Sequence, residues 1–187
     1  FENGSVAIAY DSRIKSDVFA KEAASVLAAN GITVYIYPEL MPTPMLSWAV
    51  RHLNCNAGIV VTASHNPAKY NGYKVYGDDG CQITLDVANT VIGKINAVPM
   101  FDGAKLMGFD EGVAAGKIKL IGQDVFDAYL DKVQEQGIHT DLVADSGLKV
   151  VYTPLNGTGN KPVRAILDRI GIKEVTIVPE QENPDGN

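Results

Sequence analysis

Two cysteines among 187 residues, Cys55 and Cys81, are too few for a disulfide framework. That usage fits a reducing compartment, and a cytoplasmic location is the expectation. No apolar run reaches the roughly 20 residues that a membrane helix needs, so no membrane is expected among the partners. Nothing near Phe1 has the charged and apolar pattern of a signal peptide. Basic residues are outnumbered, 16 Lys and Arg against 22 Asp and Glu, which leaves a net charge of -6. This balance argues against nucleic acid or an anionic bilayer as the main partner. It does not exclude an anionic small molecule, because salt screens distant acids beyond about 8 Å and the nearest cations decide. The sequence has no Asp-x-Asp, no P-loop and no Gly-x-Ser-x-Gly elbow.

What is present reads as an α/β chain. Composition is globular, 46% hydrophobic and 20% charged. Val6–Tyr10 has the pattern of a buried strand. Ser16 suits a helix N-cap with Asp17 in the first turn, and Phe19, Ala23, Val26 and Leu27 fall at helical spacing. Gly31 is placed to stop that helix, and Ile32–Tyr37 is a second strand. Thr43-Pro44 opens a helix with Leu46, Ala49, Val50 and Leu53 as its stripe. Ala57–Thr62 is a strand. Tyr73–Tyr76 and Cys81–Ile83 read as a hairpin through Gly77-Asp78-Asp79-Gly80. Helices are expected over Leu85–Ala97 and Asp124–Glu135, with an edge strand over Lys117–Ile121 between them. From Leu148 the opening pattern recurs, so that Tyr152 lies 142 residues after Tyr10 and Gly171 lies 140 after Gly31. The expectation is a layered α/β domain with a mostly parallel mixed sheet over residues 1–140. Residues 141–187 would supply the first βαβ unit of a second, similar domain. Both ends of the chain read as cut from a longer protein.

The most informative stretch follows the third strand. An apolar run ends at Val61, and Thr62-Ala63-Ser64-His65-Asn66-Pro67 presents one hydroxyl beside an imidazole, with Lys69 and Lys74 close by. A hydroxyl at the carboxyl end of a strand, ringed by cations, suits chemistry on an anion. A turn serine that merely caps the next segment is the ordinary alternative. A Ser–His hydrolase is set aside, since neighbours in sequence rarely form the nucleophile–base hydrogen bond.

The 21 residues from Thr62 to Gln82 closely resemble the active-serine loop of the α-D-phosphohexomutases, the phosphoglucomutase and phosphomannomutase superfamily. The resemblance implies that Ser64 carries the phosphoryl group exchanged with a sugar phosphate. It implies that Lys74, ten residues on, holds that group and helps to move the sugar hydroxyl proton. His65 would be an active-site partner of the serine, and Lys69 a surface residue. Asp11-Ser12-Arg13 resembles the family's Asp-x-Arg, which packs against the serine loop; an arginine there can fork onto phosphoryl oxygens. Arg13 and Asn66 therefore count as phosphate-binding. Leu155–Asn160 lacks the P-loop pattern and reads as a structural βα turn.

The family's metal is Mg²⁺, reached here through the phosphate on Ser64, with the other ligands outside this chain and glucose 1,6-bisphosphate as primer. The run Tyr70–Tyr76 followed by Asp78-Asp79-Gly80 is closest to the phosphoglucomutase/phosphopentomutase branch. The implied activity is interconversion of glucose 1-phosphate and glucose 6-phosphate, with these residues alone inactive and a truncated second domain free to self-associate. Phosphopentomutase and phosphomannomutase activity remain alternatives, as does a non-catalytic α/β anion-binding or interaction module.

Overall fold

The apolar strand Ser5–Tyr10 (β1) sits at the centre of a five-stranded sheet, and the rest of the first unit is arranged around it. The computed structural model describes residues 3–99, 103–139 and 141–187; Phe1 and the expected domain boundary at Thr140 lie outside them. Going outward, β1 pairs in parallel with Thr33–Ile36 (β2) on one side and Ala57–Val61 (β3) on the other. Tyr73–Gly77 (β4) closes one edge antiparallel to β3, and Ile118–Leu120 (β5) closes the other parallel to β2. The expected mostly parallel mixed sheet is what forms, with the edge strand where the sequence puts it.

Alternation along β1 decides which helices lie where. Val6, Ile8 and Tyr10 point to one face of the sheet, which Ser16–Ala29 (α1) and Phe109–Ala114 (α4) cover. Ala7 and Ala9 point to the opposite face, toward Thr43–His52 (α2). There α2 buries Met45, Leu46, Ala49 and Val50, and Gln123–Gln134 (α5) adds Val125. Helix α1 does not bury the stripe that its larger side chains suggest. Ala20, Ala24 and Ala28 face the sheet at 0% exposure, whereas Phe19 is 46% exposed. A row of methyl groups spaced four apart lets the helix backbone approach the sheet closely; Val18 and Phe19 turn outward, while Leu27 packs at the edge of the same core. Leu85–Asn96 (α3) buries none of its residues.

The second unit is a two-stranded parallel sheet, Lys149–Tyr152 (β6) with Glu174–Ile177 (β7), crossed by Asn160–Arg169 (α7). Two short helices, Asp141–Ala144 (α6) and Pro179–Glu182 (α8), flank it. Neither α4, α6 nor α8 carries enough periodic apolar residues to stand out in the sequence. The second arm of the expected hairpin shrinks to a single bridge between Tyr76 and Gln82. The Asp79 carboxylate accepts from the Cys81 amide at 2.8 Å within the turn, and the chain leaves the sheet after Ile83 because α3 begins at Leu85. Arg169 joins the two units by ion pairs to Asp127 (2.8 Å) and Asp131 (2.5 Å) on α5, and Lys161 pairs with Glu39.

Candidate active site

Both sheets bring strand carboxyl ends to one cleft of about 400 Å³. From the first unit it is lined by Asp11 and Arg13 after β1, by Thr62 and Ser64 after β3, and by Thr43 at the start of α2. From the second come Thr158, after β6, and the tail residues Asp185 to Asn187. The carboxyl ends of parallel strands, where backbone ladders stop and loops begin, are where α/β sheets hold ligands. The Leu155–Asn160 turn, read in the sequence as structural only, lines this cleft as well. Its Asn156 amide donates to Gln181 O and its carbonyl accepts from the Asp185 amide, which holds the tail over the cleft.

Ser64 has φ 57°, in the left-handed region that non-glycine residues adopt reluctantly. Its amide donates to the Thr62 hydroxyl at 2.9 Å. This twist brings two successive side chains together: Ser64 Oγ lies 3.2 Å from His65 Nδ1. The expectation that sequence neighbours would not make this contact is overturned, because in an extended backbone they diverge and here they do not. No carboxylate or carbonyl orients the other imidazole nitrogen among the described residues, so a hydrolase triad is not formed.

Arg13 lies behind the serine loop and faces its backbone. Its side chain is only 10% exposed, and its four terminal N–H groups are all donated to loop carbonyls. Nε faces Asp11 Oδ2 at 3.4 Å. One terminal nitrogen donates to Pro67 O (3.1 Å) and Tyr70 O (2.8 Å); the other donates to Ser64 O (2.8 Å) and Asn66 O. The tight turns of the loop crowd four carbonyls on one side; the Tyr70 amide reaches only that of Pro67, and Arg13 serves all four. In this structure Arg13 is thus a staple for the serine loop, its terminal N–H groups held by four carbonyls. Asn66 lends its carbonyl to that staple and also lines the cleft.

Lys74 stands on β4 directly opposite Val60, which lines the cleft, so the two share a sheet face. It is half-buried and has no hydrogen-bond or ion-pair partner among the described residues. Lys69 lies over the Tyr70 ring at 5.0 Å on the exposed side. The sequence reading misses two polar residues behind the loop. Ser16 is not a cap: it is the first residue of α1, fully buried, and its hydroxyl donates to Asp11 Oδ1 at 2.7 Å. The cap position is Lys15, which has left-handed backbone and no capping side chain. Asn71 donates to the Ser16 hydroxyl at 2.9 Å. Among the described residues no group of three or more His, Cys, Asp or Glu could hold a metal ion. Asp11, the carboxylate behind Ser64, is committed to Arg13 and Ser16. The residues present therefore do not make a Mg²⁺ site by themselves.

Residues 1–100 match the phosphoglucomutase/phosphomannomutase α/β/α domain I, and residues 127–187 match α/β/α domain II, a span that begins inside α5. A phosphoglucomutase of Staphylococcus saprophyticus is 38% identical over 186 residues, which is 100% of this chain and 33% of that protein. A Haemophilus influenzae protein assigned to the phosphomannomutases is 33% identical over 97% of this chain and 36% of its own length. The chain thus spans about a third of the curated relatives it matches. Among solved structures, a Thermus thermophilus protein assigned to the phosphomannomutases superimposes with a TM-score of 0.81 at 27% identity, over 98% of this chain and 38% of that one. The domain I match alone covers more than half of the sequence: the chain belongs to the phosphoglucomutase/phosphomannomutase family.

Proposed function

We propose that this chain supplies the phosphoryl-carrying serine of a phosphosugar mutase that interconverts glucose 1-phosphate and glucose 6-phosphate. The observation that carries the reading is Ser64, pinned in a left-handed turn at the mouth of a cleft shared by both units, with His65 Nδ1 3.2 Å from its oxygen. In the forward half-reaction the 6-hydroxyl of glucose 1-phosphate attacks phospho-Ser64. The serine P–O bond breaks and a sugar P–O bond forms, which gives glucose 1,6-bisphosphate. The sugar hydroxyl loses its proton to a base, for which Lys74 is the candidate, and the departing serine oxygen gains one, which His65 is placed to deliver. After the sugar turns over, its 1-phosphate returns to Ser64 and glucose 6-phosphate leaves. Glucose 1,6-bisphosphate primes the serine in the first place.

Mg²⁺ would neutralise phosphate charge in this reaction, held through the Ser64 phosphate and by ligands that these residues do not supply. The Haemophilus relative supports a second reading, a mutase acting on mannose phosphates, and the branch to phosphopentoses is the third. Residues 1–140 and 141–187 are proposed as the two domain portions, acting in the cytoplasm of the cell. The 187 residues alone are proposed to be inactive. Val151, 70% exposed on β6, and the open strand edges beside it favour self-association, which sedimentation velocity would detect. The functional reading is tested by incubating the full-length protein with glucose 1,6-bisphosphate and mapping the phosphate by peptide mass spectrometry. Phosphate on the Ser64 peptide is the expected result; an unmodified Ser64 in a protein with mutase turnover would overturn it.

A further inference from the structure

Every residue from Ser64 to Tyr70 is exposed. The serine loop is therefore not ordered by apolar packing, and its shape has to come from polar ties. Arg13 provides one set, to the carbonyls of Ser64, Asn66, Pro67 and Tyr70. The other tie lies at the far end of the loop. Asn71 Nδ2 donates to Ser16 Oγ at 2.9 Å, and Asn71 Oδ1 accepts from the Gly72 amide at 2.8 Å. Ser16 is 0% exposed, so its hydroxyl is a buried node with no solvent to replace a lost partner. It passes the link to Asp11 Oδ1 at 2.7 Å, and the same oxygen accepts the Arg13 amide at 3.0 Å. The other oxygen of Asp11 holds Arg13 Nε. One carboxylate thus anchors both ties.

The neck of the loop is built to the same plan. The Thr62 amide donates to Gly72 O at 2.9 Å, and a Cβ on Gly72 would come within 2.6 Å of Thr62 O. Any side chain at position 72 would push the two limbs apart, so the residue that follows Asn71 is the one that lets the limbs close.

We propose that Ser16 and Asn71 are positioning residues for Ser64, and that their hydrogen bond fixes the far end of the serine loop to the carboxylate that also holds Arg13. Neither residue touches the reacting atoms. Their effect is to keep Ser64 in its left-handed conformation against the pull toward ordinary backbone angles. The inference rests on the phosphoserine reading for its consequence in catalysis, but not for the geometry itself.

The test uses Asn71→Ala and Ser16→Ala in the 187-residue chain, followed by residue-resolved amide hydrogen exchange. The Asn66 and Tyr70 amides, which donate to Ala63 O and Pro67 O inside the loop, should exchange about tenfold faster. Amides of β1 and α2 should stay within about twofold of the parent. The Gly72 amide is left out, because Asn71→Ala removes its acceptor directly. Should Ser16→Ala fail to fold, Asn71→Ala, which alters a half-buried residue, decides alone. A uniform rise across β1 and α2, or unchanged exchange in the loop, would overturn the proposal. In the full-length protein the same variants should lower kcat about tenfold with KM within about twofold. If that protein shows no mutase turnover, the functional reading fails while the exchange result still decides the positioning role. Equal losses in KM and melting temperature with kcat unchanged would mark the pair as scaffold only.

Discussion

Strands β1 and β6 carry similar apolar runs, and each feeds a helix that ends the same way. Gly31 after α1 has φ 82° and Gly171 after α7 has φ 87°; in both, the next residue's amide reaches back to the helix carbonyl five earlier, Ile32 to Leu27 and Ile172 to Leu167. Their surroundings differ. β1 has a strand on either side and a helix on each face, and from Val6 to Tyr10 it is wholly buried; β6 has one neighbour and alternates between exposed and half-buried. The first βα loop spends the charged pair Asp11 and Arg13 on another loop, while the second, with left-handed Leu155 and Asn156 at φ 50° and 57°, ties to the tail through the Asn156 side-chain amide on Glu180 O and Asn183 O. Local pattern sets the shape of a βαβ unit; the number of neighbours sets how much of it is buried and which loop can be stiffened.

That contrast can be broken first in the core. Ile8→Ala, at 0% exposure in β1, should cost about 2–5 kcal/mol in denaturant unfolding, and the equivalent change Val150→Ala in β6 under about 1 kcal/mol. Equal costs would mean that the second sheet is packed as well as the first. Next is the staple. Arg13→Ala should lower stability by about 2 kcal/mol, and Arg13→Lys should recover less than half of it, because an ammonium cannot serve four carbonyls in a fork. Full recovery by lysine would reduce Arg13 to a charge.

Backbone strain gives a smaller effect. With φ at 57°, Ser64→Gly should be about 1 kcal/mol more stable than Ser64→Ala, since only the alanine keeps the Cβ clash. Thermal unfolding of the two variants reads this directly, and equal midpoints would argue that the turn is unstrained. Smallest is the tie between the units. Arg169→Ala removes two partly exposed ion pairs and should cost about 0.5–1 kcal/mol at low salt and less at high salt. A salt-independent loss would point to packing of the Arg169 stem on α5 instead.

Much of this is legible in the sequence because it depends on local signals. The strands around Ala7 and Ile59, Pro44 at the start of α2, and Gly31 and Gly171 as helix stops each carry a short-range physical cause. Ser64 stands out because an apolar strand ends there in a small polar corner. The rest is set by contacts distant in sequence. Nothing near Arg13 says that its donors are taken by carbonyls 51 to 57 residues away. Ser16 matches a cap by type, and only the fold shows that Asp11 and Asn71 claim its hydroxyl. The stripe of α1 misleads because size favours Phe19, whereas close approach to the sheet favours the alanines. The part that Asp185 to Asn187 play in the cleft depends on Asn156, nearly thirty residues upstream, and leaves no local mark.

The most direct test of the account is a label chase in the full-length protein. Ser64 is loaded from glucose 1,6-bisphosphate carrying radioactive phosphorus, the excess is removed, and unlabelled glucose 1-phosphate is added. The account predicts that label leaves the Ser64 peptide and appears in glucose bisphosphate and glucose 6-phosphate within the turnover time, and that Ser64→Ala neither loads nor turns over. Label that stays on Ser64 while glucose 6-phosphate forms, or a Ser64→Ala protein with full mutase activity, would contradict it.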